Sequence, residues 1–268
     1  MALTRLDCDF FRGEKAPPEV SSFVALNPVS KPAKMVFAGS SVVREGLGSQ
    51  VAYRLALDYF VHGVEVHYAG LPKDASPVRG EDAVLGVLED AFRSANSSVY
   101  SFGHKLAAGG RMAASLLGVV VEDGTLATGR VGTGSVYLFR NNQLFPFFEA
   151  PESETTRVGD APEFPEESVA RRKGFVGSNS LVDVELASVN LQGEDLVCVF
   201  SRPLTSLNET LLFECLETLV SEGFPVLQQQ SVATRVCGEV FTEPDSLSFA
   251  MVLSLGPEAL YCAQAVGA

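Results

Sequence analysis

Three apolar or β-branched runs sit in the middle of the chain, at residues 113–121, 125–131 and 135–140, with very little chain between them. Glu122-Asp123-Gly124 separates the first two and carries the Asp-Gly pair that two-residue hairpins favour. Asn141-Asn142 follows the third and marks a second turn. Connections this short join antiparallel neighbours, because a parallel partner needs a long crossover. The centre of the chain therefore predicts antiparallel sheet, and the flanking segments must fold around it.

Short runs at 22–26 and 34–38 are closed by Asn27-Pro28 and Gly39-Ser40, and read as strands. The period then changes. Leu47, Val51, Leu55 and Tyr59 recur at helical spacing and predict a helix over 47–61, ended by Gly63, with these residues facing the core. Val84, Leu85, Leu88, Ala91, Phe92 and Ala95 trace one face of a second helix over 82–96. Residues 149–179 carry three prolines and many acids and read as a surface excursion. Strands follow at 181–186 and 195–201. Ser206-Leu207-Asn208-Glu209 reads as a capping box opening a helix with Leu212, Cys215, Leu216 and Leu219 inward. A further helix over 227–237 and a last strand over 248–255 complete the pattern. This order predicts an α+β fold: two packed antiparallel β-sheets flanked by helices, a four-layer α-β-β-α sandwich, as one domain over residues 1–268.

Composition narrows the function classes. Lys and Arg total 20 against 33 Asp and Glu, a formal net charge of −13. Such an acidic protein repels nucleic-acid phosphates and anionic membranes, and no basic stripe offsets that. No apolar run approaches the ~20 residues that span a bilayer, and Met1 to Asp7 show no secretory signal pattern. The five cysteines, Cys8, Cys198, Cys215, Cys237 and Cys262, are odd in number and widely spaced, which fits reduced thiols in a cytoplasmic protein. His62, His67 and His104 are scattered without ligand spacing and read as surface residues. Ser40-Ser41 lacks the His and Asp that would activate a nucleophile, and the glycines from Gly103 to Gly110 do not form a phosphate loop.

Four stretches, in order, resemble the metal-dependent Ser/Thr protein phosphatases, the type 2C or PPM family. They are Gly109-Gly110-Arg111-Met112-Ala113-Ala114-Ser115, Gly129-Arg130-Val131-Gly132-Thr133-Gly134-Ser135, the segment from Gln192 to Thr205, and Asp245-Ser246-Leu247-Ser248-Phe249. The resemblance runs from Asp9 to Leu255 and implies that family's sandwich. It also implies chemistry in which two divalent metals, held between the sheets by carboxylates, activate a bridging water that attacks phosphorus.

At the matching positions the acids are mostly missing. Ser21 stands for an early Asp, Gly39-Ser40 for Asp-Gly, Thr133 for the Asp of Gly-Asp-Ser, and Arg202 for the Asp of Ser-Asp-Gly. Asp245 matches the final Asp, with Ser246 in place of Asn; Arg12 and Lys15 are loose candidates for the phosphate-gripping Arg. One carboxylate cannot build a dinuclear site, and a guanidinium repels a cation and keeps its proton. Glu19, Glu45 and Asp123 are the nearby acids that an active enzyme with relocated ligands would use. If the fold is kept, Arg202 and Asp245 are expected to face each other as a salt bridge in the old metal pocket.

The resemblance thus points to a catalytically inactive pseudophosphatase without cofactor. Such a protein acts in phospho-signalling by binding a kinase, a phosphoprotein or an active relative. An active phosphatase with relocated ligands is the second reading. A structural subunit, in homo-oligomeric or larger assembly, is the third.

Overall fold

The computed structural model describes residues 5–11, 21–27, 34–43, 47–70, 81–106, 112–122, 124–148, 174–222, 231–244, 247 and 249–256. In chain order the elements are β1 (Arg5–Phe11), β2 (Ser21–Asn27), β3 (Lys34–Val42), α1 (Leu47–Gly70), α2 (Glu81–Lys105), β4 (Ala114–Glu122), β5 (Thr125–Val131), β6 (Ser135–Arg140), β7 (Gln143–Pro146), β8 (Glu185–Asn190), β9 (Leu196–Phe200), α3 (Ser206–Glu222), α4 (Val232–Val240) and β10 (Ala250–Gly256).

The strands form two antiparallel sheets of five, ordered β1-β10-β9-β6-β7 and β2-β3-β4-β5-β8. Helices α1 and α2 cover the outer face of the β3 sheet, and α3 and α4 that of the β9 sheet. The expected four-layer sandwich is the observed one.

Strand alternation sorts side chains between the layers. Along β4, Ala114, Leu116 and Val120 face the helices while Leu117, Val119 and Val121 face the other sheet. Along β9, Leu196, Cys198 and Phe200 pack on helices and Val197 and Val199 point between the sheets. With both faces buried, these strands read as continuous apolar runs. That is why they were legible in the sequence without an apolar/polar alternation.

The hairpin predicted between the first two runs is borne out by the pairing of Glu122 with Thr125. Asn141 and Asn142 both have positive φ, 49° and 58°, as a type I′ hairpin turn between β6 and β7 requires. The third run departs from expectation. β6 does not pair with β5; the Gly132-Thr133-Gly134 turn carries the chain from one sheet into the other.

Several element predictions are corrected. Helix α1 does not stop at Gly63 but runs to Gly70. Gly63 sits where α1 crosses α2, and a Cβ there would lie 3.1 Å from Ala91 Cα, so it marks close helix packing instead of a cap. The buried stripe of α1 is Ala52, Tyr53, Ala56, Leu57, Phe60, Val61 and Val64. The predicted inward residues Leu47, Val51 and Tyr59 are exposed, Leu47 by 79%. Two apolar stripes overlap on this helix, and the one rich in alanine wins because small residues let α2 approach.

The remaining corrections concern boundaries. Strand β3 continues through Gly39-Ser40 to Val42. The box that opens α3 is Thr205 with Asn208, one residue ahead of the predicted one: Asn208 N–H donates to Thr205 Oγ1 at 3.2 Å, and Thr205 N–H donates to Asn208 Oδ1 at 3.3 Å. The inward face of α3 is as expected. Helix α4 is capped by Ser231, whose hydroxyl accepts from Thr234 N–H, and runs on to Val240; positions 227–230 of the predicted helix lie outside the described residues. Strand β8 lies at Glu185–Asn190 and not at 181–186, and strands β1 and β7 were not foreseen. Residues 149–173 of the predicted excursion lie outside the described residues. Its last part is not surface loop: Val176 is fully buried and bridges to Ala114.

Candidate functional site

Strands β3, β4, β6 and β9 and the Gly132-Thr133-Gly134 turn meet at one end of the sandwich. Most of the described site positions gather there. Ser40 on β3 lies opposite Ser21 on β2 and Leu116 on β4. The Ser40 hydroxyl donates to the Ser115 carbonyl at 2.8 Å. Ser115 Oγ and Thr133 Oγ1 share a hydrogen bond of 2.9 Å, and Thr133 N–H donates to Ser115 Oγ at 3.2 Å. The neighbouring Ser135 hydroxyl donates to the Arg202 carbonyl at 2.9 Å. Ser40 and Thr133 thus belong to one network, and Arg202 joins the same end through Ser135.

The Arg202 guanidinium lies over the Phe241 ring, 4.5 Å from its centroid. Its expected salt bridge with Asp245 falls outside the described residues, as do Ser246, Arg12, Lys15, Glu19, Glu45, Asp123 and the side chain of Ser21. Gly39 faces the space between the sheets, on the same side of β3 as Phe37. There it meets the ring of Phe249, whose N–H donates to Ser201 Oγ at 3.3 Å and whose carbonyl accepts from Ser201 N–H at 3.0 Å.

Sequence reasoning assigned no role to Arg130, which lies inside the second motif. It shares a strand face with Leu126 and Thr128, and its side chain is 3% exposed. Burial of a guanidinium requires a complete set of partners. Here Nε and Nη2 donate to the two carboxylate oxygens of Glu185 at 2.7 and 2.8 Å, and Nη1 donates to the Gly134 carbonyl at 2.7 Å. Phe148 stacks on it at 4.7 Å. The signal was a charged residue placed among apolar ones in a doubly buried strand.

A second arginine–carboxylate clasp closes the opposite end of β6 and β9. Arg140 donates to Asp195 from Nε at 2.8 Å and from Nη2 at 2.6 Å, and Gln192 N–H donates to Asp195 Oδ2 at 2.8 Å. The hydrogen-bonded Asp195 carboxylate raises Arg140 above its ordinary value. Beneath the β9 sheet, Cys198, Cys215 and Cys237 are buried thiols. Burial pushes Cys198 up, and pushes Cys215 to about 12, so neither is a ready nucleophile at neutral pH.

The donors at the network end are hydroxyls, backbone carbonyls and a guanidinium. Hard divalent cations are held by carboxylates, and among the described residues no group of three His, Cys, Asp or Glu could hold a metal. The described residues therefore do not fit a dinuclear metal centre. Nor do they form an activated hydroxyl. His62 and His67 are exposed on α1, and His104 stacks on Tyr100 at the end of α2, away from Ser40, Ser115 and Thr133.

No protein-family model matches the chain, and no curated protein matches it in sequence. Solved structures do match over almost the full length. PppA of Pseudomonas aeruginosa, described as a key regulatory component of T6SS, is 13% identical with a TM-score of 0.61, covering 95% of this chain and 100% of that one. The serine/threonine phosphatase PstP of Mycobacterium tuberculosis is 19% identical, with a TM-score of 0.59 and coverage of 94% and 99%. The PstP catalytic domain in complex with two manganese ions gives 18%, 0.60, and 94% and 98%. Among the described residues no helix is long and apolar enough to cross a membrane. On layer order, sheet topology and these matches, this chain has the fold of the PPM-type Ser/Thr protein phosphatases.

Proposed function

We propose that this protein is a pseudophosphatase, which keeps the phosphatase-like sandwich and works by binding a protein partner in phospho-signalling. The observation that carries the reading is the chemistry of the network end. Of the positions that match the family's metal-holding acids, four carry Ser21, Gly39, Thr133 and Arg202 and one keeps its acid, Asp245, and the hydroxyls of Ser115 and Thr133 are tied to one another. Neutral oxygens already engaged in hydrogen bonds and a guanidinium give a divalent cation little to bind. The partner class is a kinase, a phosphoprotein or an active relative, met in the cytoplasm by a regulatory or scaffolding surface.

Hydrolysis of a phosphopeptide and of an aryl phosphate, assayed with manganese and with magnesium, tests this reading. Turnover indistinguishable from buffer supports it. Metal-dependent turnover that is lost in Asp245→Ala overturns it and makes the chain an enzyme with relocated ligands.

A further inference from the structure

Position 39 points between the two sheets, and by the resemblance it is where a metal-holding Asp would stand. A Cβ built there would lie 2.2 Å from Phe249 Cζ, 2.5 Å from Cε2 and 2.6 Å from Cε1. Real Cβ atoms do not approach rings that closely, so no side chain larger than hydrogen fits while Phe249 keeps its place. The ring is firmly held: Phe249 is buried, its backbone is bonded on both sides to Ser201, and Phe37, Leu117, Val119, Val199 and Met251 surround the contact. The space left is about 10 Å³. That is at or below the ~10–15 Å³ that a single water needs, and every side chain around it is apolar.

We propose that Gly39 and Phe249 are a coupled pair. The Phe249 ring fills the volume that a metal-holding carboxylate at position 39 would use, and it joins the two sheets by apolar packing in place of a cation. The proposal rests on the pseudophosphatase reading for the role of position 39 and deepens it. Among the described residues the gap between the sheets at Gly39 is a dry joint, which leaves no room for a partner's phosphate at that point.

The test is a double-substitution cycle read by thermal unfolding, with and without manganese. Phe249→Ala is expected to lower Tm by about 10 °C, as loss of a buried ring in a domain of this size does. Gly39→Asp is expected to lower it at least as much. In Gly39→Asp/Phe249→Ala the fall is expected to be well short of the sum, because the shortened residue makes room for the acid. Shifts that simply add overturn the pairing. Should Gly39→Asp fail to fold, the same cycle with Gly39→Ala reads the clash through the Cβ alone. Wild-type Tm is expected to be the same in EDTA and in excess manganese; a rise with manganese overturns the dry joint. Phosphopeptide hydrolysis by the wild type would sink the underlying reading, whereas additive shifts without hydrolysis sink only the pair.

Discussion

Buried polar groups are treated in opposite ways at the two ends of β6 and β9. At the Arg140 end a carboxylate is kept inside, with Asp195 only 1% exposed, and it is matched by a bidentate guanidinium and a backbone N–H. At the Ser135 end the described buried polar groups include the hydroxyls of Ser40, Ser115, Ser135 and Ser201, all neutral, with exposed Thr133 bonded to Ser115 at the rim and the ring of Phe249 on Gly39 beside them. Arg130, a charge buried near that turn, brings its own carboxylate, Glu185. The contrast shows what burial demands. A charge stays inside only beside a permanent counter-charge, and an end without one is filled with hydroxyls and apolar surface.

Substitutions at the two ends sharpen this contrast or break it. The largest effect is expected from Asp195→Ala, which removes the bidentate partner of Arg140 and leaves it the Asn190 carbonyl, at a cost of about 2–3 kcal/mol in urea unfolding. Ser115→Ala should cost about 1–2 kcal/mol, because it removes the acceptor of Thr133 N–H and the partner of the Thr133 hydroxyl. Equal costs at the two ends would break the contrast. Thr205→Ala, away from both ends, removes the cap of α3 and should cost about 1 kcal/mol.

Near neutrality the smallest effect is expected from proton release. Burial raises Cys198 and Cys215 above their ordinary value of 9.0. It also raises Tyr68 and Tyr137 above 10.0, with Glu122 and Glu209 adding to the shift. The folded state holds these protons more tightly than the unfolded chain. Their contribution is therefore complete below about pH 9 and is lost as pH rises through 9 and 10 toward the folded values. Stability that climbed over that range would contradict the burial of these groups.

The doubly buried strands were plain in the sequence because apolar runs between turn residues leave few alternatives. β5 and β6 were found to the residue. Helix α1 was located, but its core face was misassigned, because only packing against α2 chooses between its two overlapping stripes. Gly63 and Gly39 misled for a shared reason. Each was read as a terminator, and each is a place of close approach: Ala91 packs tightly on Gly63, and the Phe249 ring leaves no room for a side chain at Gly39. Ser40, Thr133 and Arg202 were legible as site positions through their motifs. Ser115, Ser135, Arg130 and Phe249 were not, since their roles come from contacts across tens of residues that no spacing rule encodes.

Manganese titration of the chelator-treated protein by calorimetry decides between the proposed pseudophosphatase and a metal-run enzyme. The pseudophosphatase is expected to give no heat of binding above dilution, with phosphopeptide left intact in the same solution. Saturable binding of two manganese ions per chain with hydrolysis would overturn the proposal and would place the carboxylates of an active enzyme in this fold.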